Sequence, residues 1–215
     1  MCYSFRSSIL AFSIAMLTVF FMYMRQTKID KLLAPIIFIY GFMQLAEAFM
    51  WYDMKCGKIN KMGTYFAYYV LVFQVLAAGI GIYLIEKRML GIIVGLLFFV
   101  YFFITMPKMK CSKPITKGYP HMLWGFKYYR TKFIWPTIGF LILFFTKIKK
   151  IYKFILIFWL FMTYSYFYFK QFGIKKMFQL PFYYDISDTS IGTKWCHFTS
   201  ISAPLLYLIQ NFIKP

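Results

Sequence analysis

Acidic residues are scarce in this chain: six Asp and Glu stand against twenty-five Lys and Arg. Histidine is rarer still, present only as His121 and His197. A membrane zinc hydrolase needs several His with acidic partners, which this composition cannot supply. No GxSxG, P-loop or HExxH motif occurs, so the signatures of serine hydrolases, P-loop nucleotide hydrolases and zinc proteases are missing. The last apolar segment, Cys196 to Ile213, has no lysine, so a retinal Schiff base has no anchor there. There is no Asn-x-Ser/Thr sequon. No catalytic set, cofactor or nucleic-acid partner is expected.

Apolar residues dominate what is present. The chain has 215 residues, 61% of them hydrophobic and 24% aromatic. Long apolar runs in such a composition read as transmembrane helices. The expected fold is all-α, a polytopic membrane bundle forming a single domain over 1–215. Judged against about 20 apolar residues per crossing, seven spans are expected, at roughly 8–24, 32–52, 63–85, 89–106, 133–146, 152–169 and 197–213. The run Ile9 to Met24 leads into Arg25-Gln26-Thr27-Lys28 with no small-residue cleavage site, so it reads as a first span and not as a signal peptide. The fifth span is short. The seventh is the most polar, carrying Ser200, Ser202, Pro204, Gln210 and Asn211, and a re-entrant or interfacial segment is the alternative there.

The formal net charge is +19. Anionic lipid headgroups are the partner this excess suggests. A simpler source is base composition: Lys outnumbers Arg 21 to 4, as an AT-rich genome would produce. Two connections are long. Residues 107–132 hold Trp124, Tyr128, Tyr129 and seven basic residues, and residues 170–196 hold Pro181, Asp185 and Asp188. Both are expected to lie on the headgroup region, anchored by Trp and Tyr. Gly91 and Gly95 form a GxxxG, and Ala77, Ala78, Gly79 and Gly81 a small-residue patch. Packing within the chain is the preferred reading of these; a homo-oligomer is the alternative.

The cysteines are Cys2, Cys56, Cys111 and Cys196. In the seven-span arrangement all four fall at the end bearing the N-terminus, here end A. Disulfides on an oxidising face are the natural reading, which places the N-terminus outside or lumenal. Connectivity stays open; Cys2–Cys196 with Cys56–Cys111 is preferred. Arg25, Lys28 and Lys31 after the first span agree with that orientation, whereas the raw basic count, 15 at end A against 10 at end B, opposes it. A zinc set built on Cys196 and His197 is the sharper alternative, but CxxC spacing is absent and no metal is expected.

Glu47 is the only acidic residue inside any apolar segment. A carboxylate there is costly and marks a functional-site candidate. Tyr40, Gln44, Glu47 and Trp51 recur at i, i+4, i+7 and i+11, sharing one helical face that must point into the bundle. Gln74 and Ser200 complete a candidate ion pathway, and Arg6 is a candidate counter-ion whose pairing would make Glu47 structural. The functional expectation is a channel or transporter for a proton or small cation. The alternative is a non-transporting scaffold of a viral or host membrane.

Met1-Cys2-Tyr3-Ser4, the stretch Gln44-Leu45-Ala46-Glu47-Ala48-Phe49-Met50-Trp51, the Phe73-Gln74 pair and Gly192-Thr193-Lys194-Trp195-Cys196-His197 form a scattered set. The set resembles an uncharacterised family of multi-pass membrane proteins of nucleocytoplasmic large DNA viruses, including mimivirus-like and algal-virus relatives. That family opens with an MCWS-like tetrapeptide and carries Q-x-x-E-x-x-x-W, Phe-Gln-Pro and G-S-x-W-C-W patterns. Here Tyr3 replaces a Trp, Val75 stands where Pro is expected, and His197 replaces a second Trp. The resemblance implies a viral membrane protein whose early and late cysteines come together, with Glu47 and Trp51 characteristic. It implies no activity, and such viruses can oxidise thiols in the cytosol.

Overall fold

The computed structural model describes residues 4–115, 121–126, 134–150, 153, 154, 156 and 190–212. They form α1 (Phe5–Arg25), α2 (Lys28–Tyr52), α3 (Lys58–Glu86), α4 (Leu90–Ile104), the strands β1 (Lys113–Ile115) and β2 (His121–Leu123), α5 (Ile134–Phe145) and α6 (Ser190–Phe212). The first three helices are long and apolar enough to cross a membrane; α4 and the segment Phe198–Ile209 of α6 are shorter apolar helices. Cys2, the long connection up to residue 189 and most of the expected sixth span lie outside the described residues, as do the side chains of Cys196 and His197.

Local chemistry sets the helix ends. Ser4 and Ser7 form a capping box at the start of α1, and Thr27 and Asp30 form another at the start of α2. Each satisfies amide groups that the first turn leaves without partners. Gln26 and Lys87 take left-handed φ of 59° and 57°, closing α1 and α3 and turning the chain tightly into the next helix.

Small residues then fix the packing. On α3, Gly63 and Gly81 are five turns apart and face α2 together. A Cβ on Gly63 would lie 2.9 Å from the Ala46 carbonyl, and one on Gly81 3.1 Å from Leu32 Cα. This sets α2 and α3 antiparallel along their whole length. On the opposite face of α3, a Cβ on Gly95 of α4 would lie 2.9 Å from the Leu76 amide nitrogen, and one on Gly91 2.9 Å from Gly79 Cα. The GxxxG is therefore occupied within the chain. α1 packs antiparallel on α2 at Gly41, where a Cβ would meet Ala15 at 3.1 Å.

α5 lies against α3, and the Lys147 amide just beyond it donates to Glu86 at 2.6 Å, so both helices finish at end B. α6 packs on α1 and α2, and its residues Ser200 and Tyr207 meet Tyr40 and Arg25, so it runs from end A to end B. Outward faces are apolar: Leu10, Leu17, Phe20 and Phe21 on α1, and Leu97, Val100, Phe103 and Ile104 on α4, are all exposed. Residues of this size are buried in a water-soluble bundle; here they stand where lipid tails would be.

The long connection carries structure that the sequence reading did not expect. Its described residues include an antiparallel strand pair, β1 with β2, pairing Lys113 with Leu123 and Ile115 with His121, and β2 packs on α6 and α2. The fold is thus helical with a small strand pair, not purely α. Met122, Trp124 and Phe126 are all at most 4% exposed. Phe126 meets the Tyr68 ring edge-on at 5.4 Å and stacks on Trp124. Burial of these rings among helices outweighs the preference of Trp for the interface.

Candidate functional site

The sequence places Tyr40, Gln44, Glu47 and Trp51 on one face of α2, and the structure turns that face inward. Around the α2 axis, Gly41 points to α1, Leu32 and Ala46 to α3, and Phe38 and Phe42 outward. The Tyr40–Trp51 stripe fills the remaining sector, toward α6 and α5. Glu47 and Gln44 are 0% exposed, Tyr40 1% and Trp51 7%. Ser200 of α6, also buried, donates to the Tyr40 carbonyl at 3.4 Å.

The α6 register carries this further. Ser200 lies opposite Tyr40, and Leu206 shares a cavity with Leu33. An antiparallel register through those two points sets 192–197 beside 43–48. The Gln44–Trp51 and Gly192–His197 stretches, 140-odd residues apart in sequence, thus lie at one level near end A.

Two sequence-predicted members are not brought to Glu47. Arg6 is exposed in the first turn of α1, and no ion pair joins it to Glu47. Gln74 is fully buried, but the α2–α3 register sets it near Ile39, about two turns toward end B from Glu47. It lies on the α2-facing side of α3, and among the described residues neither its Oε1 nor its Nε2 has a hydrogen-bond partner.

Sequence reasoning missed Ser8. It heads the buried α1 stripe Ser8, Ala11, Ala15, Thr18, Met22, and the Gly41–Ala15 register sets it opposite Glu47 and Ala48. The three-and-four spacing of small residues was the available signal. It also missed Asp30, which is 1% exposed and ion-paired with Arg25. Both lie at helix ends, where charge reads as ordinary loop polarity.

Among the described residues no group of His, Cys, Asp and Glu could hold a metal ion. Cys56 and Cys111 are joined in a disulfide with a Cα–Cα separation of 5.4 Å. It ties the α2–α3 turn to the segment leading into β1, at end A. No family model matches this chain, and neither does any curated protein or solved structure.

Chemically, the interior stripe offers one carboxyl, one carboxamide, a phenol and an indole N–H within three turns. Carboxyl, carboxamide and hydroxyl oxygens are the ligand types that small hard cations take.

Proposed function

We propose that this chain is a seven-span membrane protein that passes a proton or small cation, with Glu47 as the central ionisable group. The observation that carries the reading is Glu47 itself: fully buried on a membrane-length helix and aligned with Gln44 and Tyr40. A carboxylate kept at such a cost inside a bundle is explained by chemistry that needs it.

The span count is supported by chain direction. α5 finishes at end B and α6 starts at end A, the directions that a sixth crossing between them would require. Orientation with the N-terminus outside or lumenal is supported by the Cys56–Cys111 disulfide at end A, since such bonds persist on oxidising faces. The kinship with multi-pass proteins of large DNA viruses rests on the motif resemblance alone. The basic loops suit anionic lipid.

The test is ion flux through purified protein in liposomes from pH 5 to 8, with Glu47→Gln alongside. The expected result is a flux that the substitution abolishes. No flux from folded, inserted protein would sink the reading. The scaffold alternative would then stand, with the closely packed helices and Glu47 holding helix order.

A further inference from the structure

The heptad positions 30, 33, 37, 40, 44, 47 and 51 form one continuous stripe on α2. Its end-A half is polar, from Tyr40 to Trp51. Its end-B terminus is Asp30, 1% exposed and held by the ion pair seen among the described residues. Arg25 donates through Nε to Asp30 Oδ2 at 2.8 Å and through Nη2 to Oδ1 at 2.7 Å. Its third arm, Nη1, donates to the Tyr207 carbonyl at 3.0 Å, and its guanidinium carbon lies 3.8 Å from the centroid of the Tyr207 ring. One side chain therefore joins the end of α1, the first turn of α2 and the end of α6.

Between this clamp and Tyr40 the stripe is apolar. Leu33, Ile37 and Tyr40 face Ile138, Leu156 and Leu206 across a cavity of about 20 Å³. That is room for about one water, and apolar cavities of this kind stay dry. From end B, a proton or cation heading for Glu47 would meet the clamp first and a dry constriction next.

We propose that the Arg25–Asp30–Tyr207 clamp is the end-B gate of the seam leading to Glu47. Closed, it holds α1, α2 and α6 together over the apolar cavity. Released, it lets the three helix ends part, and the constriction wets; hydrophobic constrictions gate conduction in this way. A bidentate pair under an aromatic cap has one good geometry, so it switches between two states and does not yield gradually. Arg25 keeps 19% of its side-chain surface exposed, so the gate can be reached from end B. The inference rests on the transport reading, and the experiment separates the two.

Two readouts are needed: labelling of Ile37→Cys by an aqueous thiol reagent in lipid nanodiscs, against the parent protein's own labelling, and flux in liposomes. In the otherwise native protein, position 37 is expected to be protected. Adding Arg25→Gln should raise its labelling rate about tenfold or more, the scale of a shifted two-state equilibrium, and should raise flux. Tyr207→Leu should give a smaller rise. Position 37 staying protected in folded Arg25→Gln overturns the gate; should that variant not fold, unchanged protection in Tyr207→Leu overturns it. Increased labelling with no flux in any variant supports the gate and removes the transport reading. Flux that depends on Glu47 while position 37 stays protected in Arg25→Gln does the reverse.

Discussion

The side-chain amide of Asn60 clasps the backbone of Ser112, 52 residues further along the chain. Its Nδ2 donates to the Ser112 carbonyl at 3.0 Å, and its Oδ1 accepts from the Ser112 amide at 2.9 Å. The Ser112 hydroxyl meets the Thr64 hydroxyl at 2.8 Å and accepts from the Gly125 amide at 3.0 Å. Asp53 closes the other side, accepting from the Gly57 and Asn60 amides at the start of α3. This network mimics strand pairing with side chains, and it seats the hairpin on end A.

Asn60→Ala should therefore destabilise the protein by about 2–4 kcal/mol, because two buried backbone groups lose their partners. Thermal unfolding in detergent measures it. A loss below 1 kcal/mol, estimated on the same scale, would show that the clasp contributes little.

The Cys56–Cys111 bond closes a loop of sequence separation 55. Replacing both cysteines by serine should cost about 2–4 kcal/mol, mainly by freeing the unfolded chain. The unreduced protein should run faster on a denaturing gel than the reduced one. Identical mobility, with all thiols open to alkylation, would remove the bond.

Trp124 is 3% exposed. Trp124→Ala should cost about 3–5 kcal/mol, as for a large buried ring. An interfacial Trp would show a far smaller loss, so this measurement separates a packed hairpin from a loop resting on headgroups.

Gly95 sits against the backbone of Leu76. Gly95→Val should cost about 1–3 kcal/mol through overpacking and push α4 from α3. Cysteine crosslinking between 73 and 99, whose rings are 4.6 Å apart at present, should fall with it. Crosslinking that persists would place the GxxxG elsewhere than at this contact.

Gln74 buries an amide with neither polar atom partnered among the described residues. Gln74→Leu should raise stability by about 1–3 kcal/mol, since an unsatisfied buried group is removed. On the transport reading the same variant should lower flux. A stability loss would mean that the amide has partners in the folded protein.

How much was legible differs from element to element. The helices α1 to α3 follow from apolar run length, which is a local property. The inward face of Tyr40, Gln44, Glu47 and Trp51 follows from 3.6-residue periodicity and the cost of polar groups in lipid. The hairpin was not legible, because Lys113-Pro114-Ile115 and His121-Met122-Leu123 are three-residue strands flanked by basic loop composition. Their pairing with each other, with β2 seated against α2 and α6, makes them strands. Whether Arg6, a candidate counter-ion, meets Glu47 was open for a related reason: sequence gives the end of a helix a residue occupies, not the direction its side chain takes.

By itself, the sequence determined an apolar, mostly helical protein and a stripe of polar residues on its second helix; of the seven spans it led one to expect, three stand as membrane-length helices among the described residues. Each depends on composition or on spacing within a single element. Tertiary structure alone decided that Gly95 meets Leu76, that Asn60 holds Ser112, and that Arg25 joins Asp30 to Tyr207, 182 residues away. Those contacts depend on which helix faces which, and that is set by the summed packing of all the elements, a quantity that no local window of residues contains.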